Sequence, residues 1–348
     1  MAKLNETNKY GVGIRGVGYY VPDKVISNFD LMKEIDTSDE WIKTRLGISE
    51  RRRASEEQTL AELATKAGTK AIENAKLKPE DIDLVILARI VPDHIDPATS
   101  CKVQHEIGAV NAGAFDVVVG GCPGSVYALT IGANFVASGA YKNVLVICGD
   151  ILSKTMLDFK HRDTCCFFGD GAGAVVLSRV ALGKGIQNFL LKSDGSQYSA
   201  ACVKGGGVDL PLTKENIEDR DIKYLRMDNK AIWNFATKVF PESIQEVVEE
   251  GEITIQDLDL IIAHQANINI IKASLEKLNL GMEKTHTTIE KYGNTLGASV
   301  LITLCDAYEK GKIKQGDKIA MVSYGAGLAW GALYMKWCTE EDFLSDNK

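Results

Sequence analysis

Short apolar runs alternate along this chain with longer amphipathic ones. Apolar runs too short for helices read as strands covered on both faces. Residues 84–90, 141–148, 174–177 and 258–263 are of this kind, and 141–148 predicts a central, parallel strand. Residues 10–20 alternate valine and isoleucine with glycine and predict a first strand. Residues 116–119 (Asp-Val-Val-Val) predict another short buried strand, followed by an apolar helix over 125–138. At 36–41, small polar caps and early acids precede Trp41, Ile42 and Leu46 on one helical face. Residues 60–75 predict an alanine-rich helix, and 100–107 a short one closed by Gly108. Between them, 91–99 carries Pro92, Asp93, His94, Asp96 and Pro97 and reads as a loop. Residues 181–227 are irregular and read as a connection with an excursion. Residues 228–250 predict two helices or a kink, because Pro241 lies inside.

The second half repeats the first. Glu80-Asp-Ile-Asp-Leu-Val-Ile-Leu-Ala answers to Gln256-Asp-Leu-Asp-Leu-Ile-Ile-Ala-His. The helix from Ser125 and the strand after it answer to a helix from Ser299 and its following strand. Both offsets are about 175 residues, which predicts a duplicated α/β unit rather than a solenoid. The division expected is 1–180 and 181–348.

Length and composition agree with this. The chain has 348 residues, 45% hydrophobic and 25% charged, as expected of a soluble globular enzyme. No run approaches the ~20 apolar residues of a membrane span. A net charge of −7 leaves no basic footprint for nucleic acid. The first nine residues show no apolar signal region, so a reducing cytoplasm is expected. The eight cysteines lack metal-like or paired spacing and read as free thiols.

Candidate chemistry gathers at strand ends, where α/β proteins bind ligands. Cys122 follows Gly120 and Gly121 and precedes Pro123, between a strand and a helix N-terminus. There the helix dipole favours a thiolate and turn N–H groups can hold an oxyanion. A buried structural cysteine is the plainer alternative. His264 ends the strand 258–263, and Asn294, within Gly293-Asn-Thr, is the second-half counterpart of the Cys122 turn. Alone, each would pass for a structural histidine or a turn residue. Trp41 and Arg45 share a helix face, which by itself could be a surface cation–π pair. The glycines of Gly169-Asp-Gly-Ala-Gly lead into a strand, not a helix, so they do not match a dinucleotide fingerprint.

Asp36-Thr-Ser-Asp-Glu-Trp, Thr44-Arg-Leu-Gly-Ile, Cys122 before its helix, Phe168-Gly-Asp-Gly-Ala-Gly-Ala, His264-Gln-Ala-Asn and Gly293-Asn-Thr stand in one order along the chain. Together they resemble the thiolase-fold condensing enzymes, specifically the β-ketoacyl-[acyl-carrier-protein] synthase III family. The resemblance implies a duplicated αβαβα five-layer fold. It implies that an acyl group passes from acyl-CoA to Cys122. Condensation with a malonyl thioester, losing CO2, would then give a 3-oxoacyl thioester and initiate fatty-acid-type synthesis. By the same resemblance, His264 and Asn294 stabilise the enolate. The backbone N–H groups of Cys122 and Ala326 form an oxyanion hole. Trp41, Arg45, Arg162 and Asn267 contact coenzyme A. Coenzyme A enters as part of the substrate, with no metal and no separate cofactor. Expected partners are malonyl-CoA or a malonyl acyl carrier protein, and a second copy of the chain.

The chemistry suits these residue types. A thiolate both accepts and releases acyl groups well, splitting one hard step into two. Decarboxylation needs donors aimed at a developing enolate oxygen, and a His Nε2–H with an Asn amide supplies two. An Asn offers no acid or base for the reverse thiolase reaction. Ile90 falls near the Glu of hydroxymethylglutaryl-CoA synthases and cannot replace it. Some features depart from the family pattern. The approach Val119-Gly-Gly-Cys-Pro-Gly is unusual, and Asp96 falls where an apolar pocket residue is common. Arg89 places a charge at the end of a buried strand. The loop 92–97 and residues 145–154 resemble stand-alone relatives that make alkylquinolones or alkylresorcinols. A secondary-metabolic acyltransferase is therefore the alternative reading.

Overall fold

The computed structural model describes residues 2–3 and 8–345. The segment read for a signal sequence lies largely outside them.

One mixed sheet carries nine strands on its main path: β1 (Gly11–Tyr20), β2 (Leu84–Ala88), β3 (Gly113–Val117), β4 (Asn143–Asp150), β5 (Gly171–Val180), β6 (Gly185–Ser193), β7 (Leu260–Ala263), β8 (Lys318–Gly325) and β9 (Ala329–Lys336). Their order is β7-β8-β9-β6-β1-β5-β4-β2-β3, and Ala2–Lys3 pairs with β6. The repeat is written into the pairing. Strand β2 runs parallel to β4, which is antiparallel to β5, itself antiparallel to β1. In the same sequence, β7 runs parallel to β8, which is antiparallel to β9, itself antiparallel to β6. The two sets meet where Val12 pairs with Gly185.

The longer helices are α1 (Asp39–Leu46), α2 (Leu60–Asn74), α3 (Thr99–Ile107), α4 (Gly124–Ala137), α5 (Asn229–Glu250), α6 (Ile268–Lys277) and α7 (Ala298–Glu309). They sort into layers because alternate strand residues face opposite sides. Ile86, Val146, Ile262 and Met321 point inward onto Leu129 of α4 and Leu301 of α7. Val85, Leu87 and Leu145 point outward onto Leu63 and Ala67 of α2. Ile261, Ala320 and Val322 pack on Phe240 of α5 and Ile271 of α6. The result is five layers, with α4 and α7 sandwiched between the two strand sets.

Four elements differ from the sequence expectation. The strand expected at 116–119 is β3, Gly113–Val117, a half-buried edge strand. Val118 beyond it is 61% exposed, because the chain already turns toward Gly120. The run at 141–148 is β4, Asn143–Asp150, central but parallel on one side only. Helix α5 continues through Pro241, as the buried face of Phe240, Ile244 and Val247 holds turns on both sides of the proline. Within 181–227 the chain first forms β6. Its polar Asn188 hides the strand pattern, yet is buried, donating to the Val247 carbonyl at 3.0 Å.

Candidate active site

The Cys122 turn is built by close approach. Gly120 and Gly121 both have positive φ, at 44° and 70°. A Cβ at Gly120 would stand 2.0 Å from the Ala326 carbonyl oxygen, and one at Gly121 2.2 Å from Ile90 Cδ1. A side chain at Gly120 would run into backbone, and one at Gly121 would need a strained φ and a displaced Ile90. Pro123 caps α4 rather than opening it, since the helix begins at Gly124. The Ser323 hydroxyl on β8 donates to the Cys122 carbonyl at 2.5 Å. Strand β8 thus grips the turn, and Gly325 leaves room for the Cys122 side chain.

The cysteine's protonation differs from the expectation. Burial pushes the Cys122 thiol up to about 12, and the nearby Asp150 carboxyl adds to this. The Asn294 side chain beside it pulls the other way. Cys122 is half-buried, open only toward a cavity, and the other seven cysteines are also free thiols. Its own N–H bonds the Gly120 carbonyl at 3.0 Å, whereas the Ala326 N–H is unpaired among the described residues.

His264 follows β7, and its backbone N–H still bonds Val322 of β8 at 2.9 Å. Its side chain is 1% exposed and its ring packs edge-on against Tyr324. Burial lowers its pKa to about 3, so the imidazole is neutral. Its Nδ1 lies 2.7 Å from Ser299 Oγ. Asn294 sits in the turn before α7, 4% exposed. Its Oδ1 accepts the Leu296 N–H at 2.8 Å, which fixes the amide so that Nδ2 is the group left to donate. Gly297 brings this turn against the Cys122 turn, where an added Cβ would meet the Gly121 carbonyl at 2.9 Å.

Cys122, His264 and Asn294 line one cavity of about 520 Å3 together with Ala326. Exposed Arg45 and Trp233 mark its mouth, with Trp41, Asn267 and Asn269 beside them. Arg162 lies outside the lining, with its guanidinium 5.1 Å from the Trp41 ring. Trp41 therefore stacks with Arg162 rather than with Arg45. Asn267 caps α6, accepting the Asn269 N–H at 2.9 Å. An apolar wall of Ile90, Leu152, Met156, Phe168 and Leu296 runs beside Cys122. The excursion adds Leu225 and Met227 to it. Apart from Ile90, the sequence assigned no site role to these wall residues, nor to Ser299 or Ser323. The wall is assembled from loops whose apolar residues show no periodicity.

Arg89 and the loop 92–97 also find their places. Arg89 Nε bonds Asp116 Oδ2 at 2.8 Å, and Asp116 accepts the Thr99 and Ser100 N–H groups at the start of α3. Burial alone would raise the Asp116 carboxyl, yet hydrogen bonds from Ser100 and Arg89 hold it below its ordinary value. Asp93 turns inward and accepts the Leu60 and Ala61 N–H groups that open α2. Asp150 accepts the Ile90 and Val91 N–H groups at 2.7 and 3.0 Å. These carboxylates set the strand end that aims Ile90 into the cavity. Asp96 lies on the exposed tip.

This arrangement can be compared with known proteins. Residues 115–195 match the family model for 3-oxoacyl-[acyl-carrier-protein (ACP)] synthase III, and residues 248–337 match the model for its C-terminal part. A β-ketoacyl-[acyl-carrier-protein] synthase III of Caldanaerobacter subterraneus is 46% identical over 94% of this chain and 98% of its own. The chain belongs to the β-ketoacyl-[acyl-carrier-protein] synthase III family. A namesake from Clostridioides difficile is likewise 46% identical, over 93% of this chain and 98% of its own. The crystal structure of the Aquifex aeolicus 3-oxoacyl-[acyl-carrier-protein] synthase III superposes with a TM-score of 0.86 at 41% identity. It covers 94% of this chain and 100% of its own. The expected thiolase fold is thereby borne out. The chain is a condensing acyltransferase, working by decarboxylating Claisen condensation in the initiation of fatty-acid synthesis.

Proposed function

We propose that Cys122, His264 and Asn294 divide the synthase III reaction into two half-reactions, with acyl-CoA as the first substrate and a malonyl carrier-protein thioester as the second. The convergence of these three side chains at the base of one cavity carries this reading. In the first half-reaction Cys122 Sγ attacks the acyl thioester carbonyl. The Ala326 N–H, unpaired among the described residues, holds the oxyanion, joined by the Cys122 N–H once it leaves Gly120. The carbon–sulfur bond to coenzyme A breaks, and the thiol proton leaves with the coenzyme A sulfur. The acyl chain lies along Ile90, Leu152, Met156 and Phe168. Trp41 and Arg162 hold the adenine, Arg45 a phosphate and Asn267 the pantetheine.

In the second half-reaction the malonyl carboxylate departs as CO2 and its electron pair forms an enolate. The neutral His264 ring and the Asn294 amide donate to the enolate oxygen. A protonated imidazole is not needed, which suits a ring that burial keeps neutral. The enolate carbon attacks the acyl carbonyl, the bond to Cys122 breaks, and the thiolate takes a proton from water. The test separates the halves. In Cys122→Ala, self-acylation by labelled acyl-CoA should vanish. In His264→Ala or Asn294→Ala it should persist while condensation falls ~10²–10³-fold, the usual loss for one such donor. Acylation lost in the His264 variant with decarboxylation intact would reverse the assignment.

We further infer that residues 1–180 and 181–348 are the two duplicated halves, that the enzyme is cytoplasmic, and that it is a homodimer. The dimer reading is supported by edge strand β3, unpaired on its outer side among the described residues. Ile95, Val110 and Val118 nearby are 96%, 71% and 61% exposed. A second copy aligning its own β3 would cover them. Sedimentation that showed an active monomer would refute this.

A further inference from the structure

His264 can donate to a substrate oxygen only in one of its two neutral tautomers, so something must choose between them. The ring is buried, and its Nδ1 faces Ser299 Oγ at 2.7 Å. Ser299 lies in the first turn of α7 and is itself 1% exposed. Its oxygen already accepts one hydrogen bond, from the Gln265 backbone N–H at 3.2 Å. A backbone N–H can only donate, so this bond has a fixed direction. The hydroxyl proton must then find an acceptor, and among the described residues His264 Nδ1 is the partner in reach. Were Nδ1 protonated instead, the Ser299 oxygen would receive two donors and its buried proton would have no acceptor.

Gln265 is held in turn. Fully buried, it donates from Nε2 to the Ala263 carbonyl at 2.7 Å and accepts the Thr288 N–H at 3.2 Å. The backbone N–H that sets the direction at Ser299 therefore sits in a braced segment. We propose that Ser299 is a positioning residue whose hydroxyl donates to His264 Nδ1 and leaves Nε2–H as the donor offered to the cavity. It does for the histidine what the Leu296 N–H does for the Asn294 amide. One short turn, 294–299, thus fixes the polarity of both enolate donors. The inference rests on the enolate role given to His264 above.

The test begins with the unaltered enzyme. Nitrogen NMR of histidine-labelled protein should show one ring with a pyrrole-type Nε2 and a pyridine-type Nδ1, assigned by its loss in His264→Ala. An Nδ1–H tautomer there overturns the proposal whatever the variants do. In Ser299→Ala the ring should show a tautomer mixture. Self-acylation should stay at its original rate, which also reports an intact fold. Malonyl decarboxylation should fall about 10–100-fold, the scale of loss when the partner that orients a metal-binding histidine is removed. Undiminished decarboxylation in Ser299→Ala, with His264→Ala inactive, overturns the role of Ser299 alone. Undiminished decarboxylation in His264→Ala overturns the enolate role itself, and the Ser299 proposal with it.

Discussion

At Cys122 two effects oppose each other, and their sizes decide the outcome. A helix N-terminus favours a thiolate by roughly 0.3–2 kcal/mol. Burial can shift a pKa by ~3–5 units, each worth about 1.36 kcal/mol. Burial wins, and the resting enzyme carries a thiol pushed up to about 12. A raised thiol pKa means that the thiolate fraction grows with pH across the whole working range. Alkylation of Cys122 in the free enzyme should therefore climb ~10-fold per pH unit from pH ~7 to ~10, without a plateau. A plateau near neutrality would mean a free-enzyme thiolate and would sink this account. The three candidate side chains could be singled out because Cys122 and His264 each follow a strand and Asn294 lies in the second-half counterpart of the Cys122 turn. The protonation state was not legible. It depends on Asp150 and on how the walls close, and both are products of tertiary packing.

The elements around the site are tied together by carboxylates that accept backbone N–H groups. Asp116 joins three of them: Arg89 after β2, the start of α3, and β3 itself. Arg89 read as an unexplained charge because its partner lies 27 residues away on a neighbouring strand. The two side chains are 13% and 6% exposed, so the pair is largely shielded from water. Breaking a shielded pair from one side strands the other charge, at a cost of ~3–5 kcal/mol. Asp116→Ala should then lower stability by about 3 kcal/mol in denaturant unfolding. Asp116→Asn, which keeps an acceptor for α3, should lose less. A loss below ~1 kcal/mol in the alanine variant would show that the pair is structurally idle. Most helices and central strands were legible from periodicity. Strand β6 was not, because its buried Asn188 donates to the backbone of α5, a partner that no local pattern reveals.

At the scale of the whole molecule, the duplication brings two strand ends to one cavity and leaves its mouth to meet the malonyl donor. Acyl carrier proteins are acidic, so the charge around that mouth sets how fast they are captured. Few free cations stand there. Asn269 is committed to bracing α1, donating from Nδ2 to the Thr44 and Arg45 carbonyls at 3.0 Å each. Lys277 Nζ is tied to the Thr237 carbonyl at 2.8 Å. Glu276 and Asn234 are exposed and offer no positive charge, which leaves Lys272 and the still-charged Lys277 on α6, with Arg45 on α1. The net charge of −7 adds long-range repulsion, screened beyond ~10 Å by salt. Opposite-charge steering acts mainly on association rates, so a sparse mouth should lower kcat/KM for the carrier-bound donor more than kcat. Malonyl-CoA carries its own contacts to Trp41 and Arg162 in the proposed site and does not depend on that patch. The ratio of kcat/KM for the two malonyl donors should therefore lie near unity and change little across a salt series. Lys204, Lys214 and Lys238 could rebuild a patch from the excursion and α5. A strong carrier preference that collapses as salt is added would show that they do, and would refute the expectation.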